Sequence, residues 1–174
     1  MDKFEIQEPM NVANYIIERA KERKKPISNL HLQKVLYFLQ AAFLVEYGEP
    51  IINGEFSRWS YGPVLKKVYE SYKDNGSSSI EDLAPNISID HNGWNILPPQ
   101  NIKKEEFDED SMSLLNNTID TLLNESPWKL VERTHNQSLW SEYEADIREH
   151  QAKDYTNSEI LNYFKSNKGE QIWK

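Results

Sequence analysis

Cysteine is absent from the chain. That absence excludes disulfides, thiolate nucleophiles and every cysteine-based zinc or iron–sulfur site. It suits a reducing compartment, and a cytoplasmic location is expected. Glycine is scarce, and none of the six forms the phosphate-cradling loop before a lysine or the small-residue elbow that exposes a hydrolase serine. No apolar run approaches the ~20 residues a membrane span needs, and Asp2, Glu5 and Glu8 precede any apolar stretch. Neither export nor insertion is expected. Basic side chains are outnumbered 28 to 20, for a formal charge of −8 that repels a phosphate backbone. Two readings of that charge stay open: simple solubility, or a surface complementary to a basic protein.

What the chain has instead is aromatic bulk. Five Trp, nine Tyr and six Phe accompany a charged fraction of 28%, the composition of a folded, soluble protein and not of a disordered one. A length of 174 residues fits one domain spanning 1–174.

Helical periodicity dominates. Ala13, Ile16, Ile17 and Ala20 form the apolar stripe of a first helix from about Val12 to Arg23, with Asn11 placed to cap it and Pro26 beyond its end. Leu32, Val35, Leu36, Leu39 and Phe43 mark a second helix, capped by Ser28, stapled by Ile27 on Leu32, and ending at Tyr47 and Gly48. Leu30, Phe38, Ala41 and Ala42 widen its apolar arc, so it should be central and buried on more than one side. Between Glu49 and Tyr61 the period is lost and short extended pieces are expected. A third helix is expected to begin at Pro63, carry Leu65, Val68, Tyr69 and Tyr72, and stop at Asn75 and Gly76.

Residues 77–110 read as a long polar connection holding a small hairpin, Ile87–Ile89 with Trp94–Leu97. Met112, Leu115, Ile119 and Leu122 mark a fourth helix. Ser126 and Pro127 open a fifth, with Trp128, Leu130 and Val131. Trp140, Tyr143 and Ile147 line a sixth. Thr156 and Glu159 form a capping box for a seventh, with Ile160, Tyr163 and Phe164 on its apolar side. The fold class is therefore mainly α: a single helical domain around a central buried helix, with a small β element.

Catalytic and metal-binding patterns are weak. His31, His91, His135 and His150 are scattered without ligand spacing, so no metal and no cofactor is expected. His31, in the first turn of the second helix, should be exposed or locally hydrogen-bonded. His135, near a helix C-terminus, is electrostatically favoured there without a catalytic role. Glu132 with His135 is the least poor candidate dyad for an enzyme, and the chain reads as a non-enzyme. The acidic cluster Glu105, Glu106, Asp108, Glu109 and Asp110 reads as a solvated, dipole-favoured helix start. The basic patch Arg19, Lys21, Arg23, Lys24 and Lys25 reads as a hydrated loop edge. With only Lys34 as a cation on the following helix, nucleic-acid binding is not expected. Trp59 and Tyr61, on a backbone constrained by Gly62 and Pro63, are either core packing or anchors of a partner site.

The order and spacing of particular residues resemble the Panacea domain, a family first described as a domain of unknown function in phage-associated proteins and known for SocA-like antitoxins. The resemblance is strongest over 11–76: Ala13, Asn14 and Tyr15; Ile27, Ser28, Leu30, Leu32, Gln33, Lys34, Leu36, Tyr37 and Gln40; then Tyr47, Gly48, Pro50, Ile52, Phe56, Trp59, Tyr61, Gly62, Pro63, Val64 and Tyr69. It continues more thinly over 128–164 through Leu130, Val131, Thr134, His135, Trp140, Ile160, Tyr163 and Phe164. The resemblance implies an antitoxin-like protein that neutralises a cognate protein toxin by direct, non-catalytic complex formation. Some members resemble adaptors that deliver the toxin to protease machinery. It implies a structural signature of Leu32, Lys34, Leu36, Tyr37, Gly62, Pro63 and Val64, and no separate DNA-binding unit ahead of Ala13. The alternative is a phage or prophage accessory protein that binds another host or viral protein.

Overall fold

Asn29–Tyr47 form α2, the element on which the computed structural model, described over residues 2–174, is organised. Every residue from 31 to 44 is buried, so the helix is surrounded and not laid on a surface. Ser28 caps it by accepting from the His31 amide, and Gly48, at φ 74°, ends it with its own amide on the Leu44 carbonyl. Around it pack α1 (Pro9–Glu22), α3 (Lys66–Tyr72), α4 (Glu109–Leu123), α5 (Pro127–His135) and α8 (Asn157–Ser166). The short α6 (Ser138–Ser141) and α7 (Glu144–Arg148) lie between α5 and α8. Two antiparallel hairpins complete the chain: β1 (Ser57–Trp59) with β2 (Gly62–Val64), and β3 (Asn86–Asp90) with β4 (Gly93–Leu97). The fold is mainly α with a small β element.

The core is aromatic around Tyr37, whose ring meets Phe38 at 5.3 Å, Tyr155 at 5.5 Å and Phe56 at 5.6 Å between centroids. Phe164 joins it from α8, and Trp173 covers Phe164 at 5.3 Å. At the other end Phe4 stands edge-on to Phe43 at 4.9 Å. The stripes expected for the first two helices are buried as predicted, Ala13, Ile16, Ile17 and Ala20 in α1 and Leu32, Val35, Leu36, Leu39 and Phe43 in α2.

The polar side chains of α2 shape the irregular segment beside it. Gln40 donates to the Ile52 carbonyl and accepts from the Ile52 amide, while the Gln33 side-chain oxygen accepts from the Leu65 amide. A buried chain without secondary structure must find partners for its peptide groups, and here a helix supplies them through glutamines. This corrects the expected third helix. It begins at Lys66 and not at Pro63, because residues 62–64 are held extended as β2. Proline fits an extended edge as readily as a first helical turn, so the decision falls to these tertiary bonds.

Other boundaries moved for identifiable reasons. α1 starts at Pro9, which costs no hydrogen bond at the first position, so Asn11 lies inside the helix and is no cap. The expected sixth helix is broken at Tyr143: Arg58 takes the Leu139 carbonyl at 2.7 Å, and the Tyr143 amide turns to Trp140 instead. His31 is buried and not exposed, and its Nε2–H donates 3.0 Å to the Leu122 carbonyl in the last turn of α4. Burial lowers its pKa. The basic patch is exposed at Lys21, Arg23, Lys24 and Lys25, as expected of a hydrated edge, but it is tethered: Arg19, largely buried, and Arg23 both bind Asp120 of α4 at 2.7 and 2.8 Å, and Lys21 donates to the Glu81 carbonyl. The starts of α5 and α8 are as expected, with Ser126 and Thr156 as caps and the full capping box at Thr156 and Glu159, while α4 is capped by Asp108 from the acidic cluster ahead of it.

The long connection does contain a hairpin, and both of its roots are tied to one polar relay. The Tyr72 hydroxyl donates to Asn14 and accepts from the Ala84 amide, while the Asn14 side-chain amide donates to the Gln100 carbonyl. Chain positions 84 and 100 are thus held by α1 and α3 on either side of β3 and β4.

Candidate interaction surface

Lys34 projects from α2 onto the first hairpin. Its Nζ donates 2.9 Å to the Pro63 carbonyl, and the side chain is fully buried without a carboxylate partner. Burial pushes its pKa down to about 7. Gly62, the next residue back, has φ 97°, a region that side chains beyond glycine rarely occupy. A Cβ there would also stand 2.5 Å from the Thr134 hydroxyl oxygen and 3.2 Å from Cε of Lys34. The Thr134 hydroxyl is itself committed to the Val131 carbonyl at 2.8 Å. Lys34, Gly62, Pro63 and Thr134 therefore interlock α2, β2 and α5.

The turn at Ser60 and Tyr61 is gripped from its other side. His135 Nε2–H donates 2.8 Å to the Ser60 carbonyl, its ring stacks on Trp140 at 3.9 Å, and Trp140 Nε1–H donates 2.9 Å to the Trp59 carbonyl. At the base of β1, the guanidinium of Arg58 donates to the carbonyls of Leu139, Lys153 and Asp154 and to the Glu159 carboxylate. It also lies 3.8 Å over the Tyr143 ring and 4.3 Å over Tyr155. The charge is buried but satisfied on all sides, which is the condition under which a buried cation is tolerated. Together these contacts fix the backbone of 58–63.

What this fixed backbone displays is a pair of aromatic rings. Tyr61 is 57% exposed and meets Trp128 of α5, 58% exposed, edge to face at 5.3 Å. Trp59 is half-buried, edge-on against Tyr69 at 4.9 Å, and so is no free anchor. The two sequence candidates thus take different partners, Trp59 packing on Tyr69 and Tyr61 on Trp128, which was read earlier only as a helix marker. Glu132 and His135 do not form a dyad, because the imidazole is spent on Ser60 and Trp140. Leu32, Leu36, Tyr37 and Val64 lie in the interior. Tyr37 donates 2.7 Å to Gln137, and desolvation raises its pKa well above that of a free tyrosine.

Among the described residues no group of three or more histidines and carboxylates is placed to hold a metal ion, and no helix is long and apolar enough to cross a membrane. In the open cleft lined by Tyr15, Arg19, Lys104, Met112 and Asn116, Arg19 is paired with Asp120.

The interlock and the aromatic pair both fall inside residues 32–141, the stretch matched by the family described as Antitoxin SocA-like, Panacea domain. The chain belongs to this family. A curated relative, Antitoxin SocA of Caulobacter vibrioides (strain NA1000 / CB15N), is 46% identical over 73 residues, or 42% of this chain. The aligned stretch spans 39% of that relative's length. No solved structure matches the chain. Within this Panacea domain Lys34, Gly62 and Pro63 hold the turn that presents Tyr61.

Proposed function

We propose that this Panacea-domain chain is an antitoxin-like protein that binds a cognate protein toxin directly and masks it stoichiometrically, without catalysis. The observation that carries this reading is the Tyr61–Trp128 pair, two large exposed rings on a backbone immobilised from α2, α5 and α6. Tyrosine and tryptophan dominate interface hot spots, and a platform already rigid loses little entropy when a partner docks. The name of the relative supports the toxin as the class of partner. The formal charge of −8 favours encounter with a basic protein. Non-catalytic action is supported by the way His135, Lys34 and Arg58 are consumed by internal bonds.

The test is co-expression with the product of the adjacent reading frame, scoring growth rescue and equimolar co-purification. Tyr61→Ala combined with Trp128→Ala should weaken rescue while leaving the circular dichroism spectrum unchanged. Inactivation of the toxin by substoichiometric amounts of this chain would overturn masking. If no adjacent product is toxic and none co-purifies, the phage-accessory reading takes its place.

A further inference from the structure

The second hairpin is built like a buried element and left uncovered. Strict alternation places Ile87, Ile89, Trp94 and Ile96 on one face, as the cross-strand pairs Ile87 with Ile96 and Ile89 with Trp94. Asn86, Ser88, Asp90 and Asn95 occupy the other face. Such a pattern ordinarily turns its apolar side toward a core. Here those four side chains are 55% to 75% exposed, and with Leu97 they make five of the eight strongly exposed large apolar residues among those described. A two-stranded ribbon is marginally stable alone in water. This one is anchored at its roots, through the Ala84 amide and the Gln100 carbonyl, and closed at its tip by Asp90, which accepts from the Asn92 amide and the Asn95 side chain. The result is an arm held at its base with an apolar blade.

Charge narrows what the blade can meet. From residue 77 to 102 the chain has Glu81, Asp82 and Asp90 and no lysine or arginine. Exposed strands are commonly protected by lysines, which is a safeguard missing here, while Pro85, Pro98 and Pro99 limit any extension of the ribbon. A second copy of this chain would bring the same three acids and the same net charge of −8 to the contact. An anionic membrane surface would be repelled for the same reason.

We infer that the β3–β4 arm docks the apolar face of Ile87, Ile89, Trp94 and Ile96 into an apolar groove with a basic rim on the protein toxin. This rests on the toxin-binding reading above and adds to it a second, separate contact, beyond the Tyr61–Trp128 platform. The arm supplies adaptable apolar area and the platform supplies a rigid anchor.

The experiment compares wild type with Trp94→Ser/Ile96→Thr, which keeps strand-compatible residues, and with Tyr61→Ala/Trp128→Ala, all as full chains co-expressed with the adjacent toxic product. The arm variant should keep its melting temperature and lose at least tenfold in affinity for the purified toxin, with a matching loss of growth rescue. Hydrogen exchange should show the amides of 86–97 becoming protected on complex formation, and binding should weaken with added salt. If the arm variant binds and rescues like wild type while the platform variant does not, the arm inference is wrong and the toxin-binding reading stands. If wild type itself neither binds nor rescues, that reading fails and the arm inference falls with it. Sedimentation showing a wild-type dimer abolished by the arm variant would assign the face to self-association and overturn the inference. Wild-type binding to anionic phospholipid vesicles, lost in the arm variant, would overturn it in favour of a lipid surface.

Discussion

The two hairpins have the same turn and opposite surroundings. Each closes with a glycine in the left-handed region, Gly62 at φ 97° after Ser60 and Tyr61, and Gly93 at φ 108° after His91 and Asn92. The first, with three residues per strand, is too short to persist alone, yet its backbone is bound by side chains from three helices, α2, α5 and α6, and its own Arg58 reaches out to the Leu139 carbonyl. The second, with five residues per strand, is tied only at its ends. Local turn chemistry therefore specifies that a hairpin forms, and the partners of its peptide carbonyls specify whether it is rigid.

The largest effect should come from removing the strongest grip on the first hairpin. Arg58→Ala leaves three carbonyls and the partly buried Glu159 without their donor, and is expected to cost about 3–5 kcal/mol, the range for breaking a buried ion pair. Urea unfolding followed by tryptophan fluorescence measures it. A loss below about 1 kcal/mol would show that the short hairpin does not depend on this anchor.

Glycine replacement separates the hairpins most cleanly. Gly62→Ala meets the Thr134 hydroxyl oxygen as well as the backbone penalty, for an expected cost of about 2–5 kcal/mol from overpacking and left-handed strain together. Gly93→Ala meets nothing within 4 Å and should cost about 1–2 kcal/mol, from strain alone. Equal midpoints for the two variants would break the comparison.

Lys34 gives the interlock a pH signature. Its pKa falls from the free-lysine value to about 7 on folding, so above pH 7 the unfolded chain binds the extra proton. Its contribution is complete above the unfolded pKa and is lost as pH falls through about 7. Stability should therefore rise between about pH 7 and 9, with a slope of up to about 1.4 kcal/mol per unit. The raised tyrosines, Tyr37 and Tyr72, act in the opposite sense only above the free-tyrosine range, so this window is free of them. Lys34→Met should flatten the rise. Denaturant melts across that window report the outcome.

The smallest effect should belong to the arm. Trp94→Ser/Ile96→Thr is expected to change global stability by no more than about 0.5 kcal/mol, because the two side chains are 73% and 75% exposed. A loss beyond about 1 kcal/mol would mean that the arm packs on the body in solution.

The same contrast explains what the sequence made legible. Elements that bury a periodic stripe, α2 and α4 above all, were readable from spacing, and α8 announced itself through Thr156 and Glu159. The arm was readable too, as two short apolar runs around His91, Asn92 and Gly93. What spacing could not reveal were the bonds between distant segments. Arg58 has no periodic signature, so neither its grip on Leu139 nor the break it imposes at Tyr143 could be seen. Pro63 looked like a helix start because nothing local says that Lys34 and Gln33, about 30 positions earlier, hold its neighbourhood extended. His31 looked exposed or locally hydrogen-bonded for the same reason, since its partner Leu122 is distant in the chain. Of the interaction surface, Tyr61 was found through the glycine and proline beside it, whereas Trp128 was hidden by its place on an ordinary helical turn.

The relay from Ala84 through Tyr72 and Asn14 to Gln100 has a consequence for how such a chain can change over generations. Because both ends of the intervening stretch are already fixed in space, the closure entropy is settled by the body, and lengthening or rewriting the loop alters it by only about 0.6 kcal/mol per doubling. Residues 85–99 then behave as an interchangeable cassette. New sequences can be tried there, and a new recognition preference acquired, without disturbing the interior that keeps the domain folded.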